Sequence, residues 1–149
     1  NYNIESLAVG HSEVPGVSRM TVVAEGDKRA LAQIVKHLNK LVNVIEVSDV
    51  TGEPSVIREL ALIKVGAAGS ERYKIVQLAD IFRAKVVDVS NGSLTVEITG
   101  TEDKIDSLIE LLRPFGIKEM VRTGRVVMLR GDRATNGVKA PLYSVAQPA

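Results

Sequence analysis

An internal repeat with an offset of 74 residues constrains this chain more than any other feature of its sequence. The offset carries an apolar strand face and an apolar helix face of the first half onto matching faces of the second half. The matches are Met20, Val22 and Ala24 with Leu94, Val96 and Ile98, and Leu31, Ile34, Val35 and Leu38 with Ile105, Leu108, Ile109 and Leu112 (94 − 20 = 74; 105 − 31 = 74). Gly26 falls on Gly100. Because strand, glycine turn and helix align without a gap, the pattern predicts a duplicated structural unit.

Three segments have apolar residues at i, i+3, i+4 and i+7, which predicts helices over residues 27–41, 70–83 and 101–113. Asp27, Ser70 and Thr101 are of the types that cap helices, and Pro114 and Gly116 end the last one. Segments rich in Val, Ile and Thr predict strands between the helices. They cover residues 4–9, 19–24, 42–47, 58–65, 85–89, 93–98, 117–121 and 126–129.

The second unit therefore reads strand, helix, hairpin, helix, strand, which is the ferredoxin-like βαββαβ plan with both helices on one face of an antiparallel sheet. Asn91-Gly92 predicts a two-residue type I′ turn in its hairpin. The first unit has only the hairpin, the second helix and the last strand, so by comparison with its repeat it lacks a first strand and a first helix. The fold class is α+β. The predicted domains are residues 1–52 and 53–131, joined by a linker at 51–55 and followed by an extended or disordered tail at 132–149.

Composition argues against several function classes. The 19 Lys and Arg residues nearly balance the 18 Asp and Glu residues, so no strong field attracts nucleic acid. There is no cysteine, which removes disulfides, thiolate nucleophiles and cysteine metal sites. Aromatic residues are only 3%, too few for a base-stacking platform, and no apolar run approaches the roughly 20 residues of a membrane span, so we expect a soluble protein.

Candidates for catalysis are weak. His11 stands beside Ser12 and Glu13, but the members of a catalytic triad converge from separate elements, so a solvated turn is the better interpretation. His37 lies off the apolar face of its helix and is expected to be exposed. Residues 66–70 precede a helix and contain two glycines, but they lack the lysine and the spacing of a phosphate loop. We expect no catalytic residue and no metal site.

Two features predict contacts with other chains. Arg122, Arg125, Arg130 and Arg133 cluster late in the chain. They are interpreted as a solvated basic edge or, alternatively, as a contact with an acidic surface of a partner. A small sheet of this plan has a bare face and exposed edges, which favours pairing with a second copy.

Five segments carry a resemblance to a known family. They are residues 1–7 (NYNIESL), 18–21 (SRMT), 58–65 (RELALIKV), 81–89 (IFRAKVVDV) and 123–124 (TG). Together they are similar to the regulatory, or small, subunit of acetolactate synthase, also called acetohydroxyacid synthase, over residues 1–131. The resemblance implies an ACT domain followed by a second ferredoxin-like domain.

The resemblance also implies a non-catalytic role in branched-chain amino acid biosynthesis. Such subunits bind the large catalytic subunit, activate it and confer feedback inhibition by valine or a related branched-chain amino acid. Thiamine diphosphate, magnesium and FAD are implied on that catalytic partner, and no cofactor on this chain. The resemblance further implies a homodimer through the ACT domains and a location in the bacterial cytoplasm or the plastid stroma.

In the family the amino acid binds between a glycine turn of one protomer and an Asn-Ile pair of the other. That pair corresponds to Asn3 and Ile4, whereas the glycine turn has no counterpart in these residues. Asn3 is alternatively a turn residue at the start of a strand. A rival function is the amino-acid-sensing ACT-type domain of a transcription regulator, although no helix-turn-helix or basic ribbon is evident. A small phosphatase would require an anion-binding loop that the sequence does not show.

Overall fold

A computed structural model of the chain describes residues 3–132 and 144–146. Within these ranges the chain forms nine strands and three α-helices. The strands are β1 (Asn3–His11), β2 (Val17–Glu25), β3 (Val44–Glu46), β4 (Ser55–Gly66), β5 (Lys85–Val89), β6 (Ser93–Gly100), β7 (Ile117–Arg122), β8 (Val126–Leu129) and β9 (Ser144–Ala146). The helices are α1 (Lys28–Leu38), α2 (Glu71–Ile81) and α3 (Glu102–Leu112), and a short 3-10 helix covers Arg113–Phe115.

These elements form two compact units. Unit 1 comprises the described residues up to Ile57 and from Gly124 onward, and unit 2 is Arg58–Thr123. This division differs from the predicted boundaries at residues 53–57 and 124–131, which lie in unit 1. Hydrogen bonds account for the difference, since the Arg130 amide donates to the Pro54 carbonyl at 2.9 Å and the Arg19 guanidinium donates to the Val127 carbonyl at 2.9 Å.

Unit 2 has the predicted βαββαβ order. Its strands lie in the order β5-β6-β4-β7, and every pair in that order is antiparallel. Alternate residues of β4 point to one face, where Ala61, Ile63 and Val65 are fully buried. α2 and α3 pack on this face and on each other, and α3 contributes the largest share of the helical core. The ferredoxin-like prediction for this unit is confirmed.

The turn between β5 and β6 differs from the prediction. The hairpin is present, but three residues, 90–92, connect the strands, and neither Asn91 nor Gly92 has the positive φ of a type I′ turn. The Ser90 amide donates to the Ser93 carbonyl at 2.9 Å, and the two hydroxyls lie 2.8 Å apart. The Arg72 guanidinium also donates to the Ser90 and Asn91 carbonyls. These bonds hold the longer connection.

Unit 1 contains the predicted hairpin, helix and strand. β1 and β2 pair antiparallel from Asn3↔Glu25 to His11↔Ser18 with one bulge. The sheet order is β1-β2-β9-β3, so β9 lies between two strands of the first half of the chain. β9 falls within the predicted tail, of which residues 133–143 and 147–149 lie outside the described residues.

The helix starts follow the capping predictions only in part. The Asp27 carboxylate accepts a hydrogen bond from the Ala30 amide at 2.8 Å, as an N-cap does. Ser70 and Thr101 make no side-chain cap bond, so their predicted caps are wrong. Ser70 has a helical backbone conformation instead of the extended one that a capping side chain needs. α3 has Glu102 and Asp103 in its first turn, where they complement the helix dipole.

Candidate functional site

The predicted effector residues lie at the start of β1, where they are accessible to solvent. Asn3 stands opposite Glu25 in the β1–β2 register, and its side-chain amide donates to the Glu25 carboxylate at 2.8 Å. Ile4 is 59% exposed although it is a large apolar residue. The open end of the β1–β2 hairpin therefore carries an amide, a carboxylate and an exposed apolar side chain.

A cavity of about 390 Å³ lies elsewhere in unit 1. Its apolar walls come from the second half of β2, from α1, from the start of β4 and from β8, whereas its rim is polar. The apolar lining is Val22, Val23, Ala24, Leu31, Ile34, Val35, Ile57 and Val127, and the polar lining includes Thr21, Ser48, Asp49, Thr51, Glu53 and Arg125. Neither Asn3 nor Ile4 lines it, so the sequence-predicted site and the cavity are separate places.

His11 and Ser12 lie where β1 ends and the β1–β2 connection begins. His11 is exposed at the end of β1, and the Ser12 hydroxyl accepts a hydrogen bond from the Val14 amide at 3.1 Å, which stabilises the turn. His37 is exposed on α1, as predicted. In the described part of the chain no group of three or more His, Cys, Asp or Glu residues is placed to hold a metal ion.

The glycines before α2 turn the chain. The Ala67 amide donates to the Gly92 carbonyl at 3.0 Å, and Gly69 has a φ of +56°, which favours glycine. This geometry agrees with the interpretation of residues 66–70 as a turn.

The late arginines do not form one solvated basic edge, and that prediction is wrong for Arg122. In unit 2 the Arg122 guanidinium is 24% exposed and contacts the carboxylates of Glu59 at 2.7 Å and Asp106 at 2.6 Å. Burial by itself lowers the pKa of Arg122, but the hydrogen bonds and charges of Asp106 and Glu59 outweigh it and raise the pKa above its usual value. The residue ties α3 and β4 to the end of β7.

The other arginines of the predicted cluster belong to unit 1 or lie outside the described residues. Arg125 contacts the Glu5 carboxylate at 3.5 Å, and Arg130 donates to the Ser55 carbonyl at 3.1 Å. Arg133 is outside the described residues.

Sequence reasoning missed the ion-pair network of Arg122, although one signal for it exists. Glu59 continues the inward-facing alternation of Ala61, Ile63 and Val65, and its side chain is only 6% exposed. A carboxylate on the buried face of a strand needs a cationic or hydrogen-bonding partner. The pattern therefore indicates that a partner exists, but Arg122 is 63 residues away along the chain.

Within the described ranges, none of the helices has the length and hydrophobicity required to cross a bilayer.

Comparison with known proteins agrees with this architecture in both units. Residues 58–131 match the family model for the small subunit of acetolactate synthase, and residues 1–46 match the model for the ACT domain of AHAS small subunit-like proteins. A probable acetolactate synthase small subunit of Methanothermobacter thermautotrophicus is 54% identical over 133 residues, which cover 89% of this chain and 79% of that protein. The acetolactate synthase small subunit of Bacillus subtilis is 51% identical over 135 residues, 89% of this chain and 78% of that protein.

A solved structure shows the same fold. The crystal structure of the acetolactate synthase small subunit of Thermotoga maritima superimposes with a TM-score of 0.82 at 41% identity, covering 89% of this chain and 83% of that one. Sequence and fold thus agree over most of the chain. The chain belongs to the family of acetolactate synthase small subunits.

Proposed function

We propose that this chain binds the large catalytic subunit of acetolactate synthase, raises its activity and makes it sensitive to inhibition by a branched-chain amino acid. Valine is the first candidate for this effector. The observation that carries the proposal is the match of both halves of the chain to small-subunit family models. In this proposal the chemistry, with its thiamine diphosphate, magnesium and FAD, belongs to the partner. This chain supplies a binding surface and an effector site.

Pairing with a second copy is part of the proposal. β1 is an edge strand of the sheet in unit 1, and three of its large apolar side chains are more than half exposed. They are Ile4, Leu7 and Val9, at 59%, 51% and 58%. An edge strand with apolar side chains favours association with another copy, because pairing buries those side chains and satisfies backbone groups.

Asn3 and Ile4 are the proposed effector contacts on this chain. An amide donates to a carboxylate and accepts from an ammonium group, so Asn3 suits a free amino acid. Its bond to Glu25 shows that its donor is directed at a carboxylate, and an amino acid carboxylate would replace that partner. The exposed side chain of Ile4 offers an apolar contact for a branched side chain.

The proposal is tested by reconstitution with a large subunit. We expect the chain to raise the acetolactate-forming activity, and we expect valine to reduce it. Because the glycine turn of the family's site is not among these residues, the valine titration is repeated with an N-terminal extension that supplies a strand, a glycine turn and a helix. Failure to co-purify with the large subunit or to change its activity would contradict the proposed partner.

The Asn3→Ala variant tests the effector site. Loss of the Asn3 side-chain amide leaves a bound amino acid with an unpaired polar group. This should weaken the binding free energy by about 1 to 3 kcal/mol, which corresponds to roughly 5-fold to 150-fold weaker inhibition. Activation is expected to persist. Asn39→Ala, at an exposed position after α1, is the matched control. Unchanged inhibition in a folded Asn3→Ala variant removes Asn3 from the site.

A further inference from the structure

The open end of the β1–β2 hairpin holds a carboxylate whose charge is not balanced by a cation. Three acidic residues lie at or near this end, Glu5, Glu25 and Asp27. The Glu5 carboxylate contacts the Arg125 guanidinium at 3.5 Å, and the Asp27 carboxylate caps α1. The Glu25 carboxylate instead accepts a hydrogen bond from a neutral group, the Asn3 side-chain amide, at 2.8 Å. Among the residues that the structure describes, Glu25 forms no ion pair.

Asn3 and Glu25 project from the same face of the sheet. They are opposed partners in the β1–β2 register, and opposed residues of antiparallel strands point to the same side. Both side chains are exposed to solvent, and Glu25 is the last residue of β2. A molecule that reaches the Asn3 amide from solvent therefore meets the Glu25 carboxylate as well.

A free amino acid can exchange partners with this pair. Its carboxylate takes the Asn3 N–H that is now directed at Glu25. Its ammonium group is attached to the carbon that bears the carboxylate, so it arrives beside the released Glu25 side chain. One amide–carboxylate hydrogen bond is thereby replaced by another of the same kind, and an ammonium–carboxylate pair is gained. Since hydrogen bonds between ionised groups are the stronger ones, the exchange is favourable.

We propose that Glu25 binds the ammonium group of the effector and makes the site selective for an amino acid over the corresponding carboxylic acid that has no amino group. This inference rests on the proposed function, in which Asn3 contacts the effector. An anion without an ammonium group would place its carboxylate beside Glu25 with no cation between them, and like charges repel. Attraction of the zwitterion and repulsion of the anion both contribute to the selectivity.

The alternative role for Glu25 is to orient the Asn3 amide without contacting the ligand. In that role Glu25 affects an amino acid and a simple carboxylic acid in the same direction, because both bind through the same amide. The variant Glu25→Gln separates the two roles. Its side-chain carbonyl oxygen still accepts the Asn3 N–H, but the negative charge is gone. Because Glu25 is exposed, we expect the variant to fold and to activate the large subunit as the wild type does.

The test uses the complex with the large subunit and two ligands of the same carbon skeleton. They are valine and isovalerate, which is valine without its amino group. Inhibition by each ligand is titrated for the wild type and for Glu25→Gln. We expect the variant to weaken inhibition by valine about fivefold or more and to strengthen inhibition by isovalerate about twofold or more. The opposite signs are the signature of a charge that contacts the ammonium group.

Two controls accompany the titrations. Glu13→Gln makes the same change of charge at an exposed position in the β1–β2 connection, at the other end of the same hairpin, and should alter neither titration. The large subunit alone is titrated with both ligands, and any direct effect on catalysis is subtracted.

Three outcomes with Glu25→Gln would overturn the inference while the proposed function stands. They are unchanged inhibition by valine, a change of both ligands in the same direction, and no inhibition by isovalerate once the charge is removed. An equal effect of Glu13→Gln would assign the result to net charge and would overturn it too. Failure of valine to inhibit the wild-type complex would instead contradict the proposed effector itself, and the inference would fall with it.

Discussion

Helices α1 and α3 carry the same apolar pattern 74 residues apart, and they differ in how much of it they bury. Ile105, Leu108, Ile109 and Leu112 of α3 are 0%, 0%, 4% and 0% exposed. Their counterparts in α1 are only half-buried, and α1 has no fully buried residue. The comparison shows that an apolar face determines which side of a helix can pack, whereas burial depends on the elements opposite it.

The rest of each unit shows the same contrast. In unit 2, β4 and α2 lie opposite α3, and the main hydrophobic core belongs entirely to this unit. In the part of the chain that the structure describes, the buried apolar residues of unit 1 are Val47 and Leu129, each 6% exposed. Since burial of apolar area is the main favourable contribution to folding, unit 1 should be the less stable of the two.

The largest effect is expected from truncating the matched positions Leu108 and Ile34. Leu108→Ala removes a fully buried side chain and should cost about 2 to 5 kcal/mol of unfolding free energy. Ile34→Ala affects a half-buried side chain beside a cavity and should cost about 1 kcal/mol. Urea unfolding of both variants measures the difference. Equal losses would show that α1 is packed as tightly as α3 in solution.

The Arg122 network is a second feature that unit 1 lacks, because the offset carries Arg122 and Asp106 back to Ser48 and Ala32. Arg122→Gln removes a cation that contacts the buried Glu59 carboxylate, and it should lower the free energy of unfolding by about 1 to 3 kcal/mol. This is less than the loss of a fully buried ion pair would cost, because Asp106 is half exposed.

The control for this variant is Arg113→Gln. Arg113 contacts Glu110 at the same distance of 2.7 Å, but both side chains are exposed, so a loss of about 0.5 kcal/mol or less in the free energy of unfolding is expected.

The pKa of Arg122 is raised in the folded state. Its contribution to the free energy of unfolding is therefore fully present below the pKa that Arg122 has in the unfolded chain, and it is lost only as the pH rises through the pKa in the folded state. The Arg122→Gln effect should therefore not decline between neutral pH and about pH 11. A loss no larger than that of Arg113→Gln would contradict the structural role of the network.

The matched turn glycines give a smaller effect. A Cβ on Gly26 would lie 2.8 Å from the Ala30 Cβ, and a Cβ on Gly100 would lie 2.6 Å from the Lys104 Cδ. Lys104 can move its flexible side chain, whereas Ala30 is fixed to the helix backbone. Gly26→Ala should therefore cost about 1 to 2 kcal/mol and Gly100→Ala less. Thermal unfolding compares them, and a larger loss for Gly100→Ala would contradict this reasoning.

The smallest effect is expected at the two equivalent helix starts. Asp27→Ala removes a carboxylate that caps α1 and should cost about 1 kcal/mol. Thr101→Ala removes a hydroxyl that makes no cap bond and should cost only a few tenths. Hydrogen exchange of the first turn of each helix reports the difference directly. Equal exchange changes would indicate that Thr101 caps α3 in solution.

Much of the fold and part of the site follow from sequence. Apart from β9, which lies in the predicted tail, the helices and strands appear where the periods of 3.6 and 2 place them, and the ferredoxin-like order of unit 2 follows from their sequence order. The position of Asn3 at the start of a strand was also predicted. Its contact with Glu25 was not, because it depends on the β1–β2 register, which local pattern does not specify.

The sequence by itself determined the repeat, the apolar face of each helix and the existence of both hairpins, since these depend on residues a few positions apart. Only the tertiary structure decided that Glu59 meets Arg122, that β9 lies between β2 and β3, and that α3 is covered while α1 is not. The physical reason is the range of the interactions. Periodicity records which side of an element is apolar, whereas its partner is chosen by contacts between residues far apart in the chain, which no local pattern encodes.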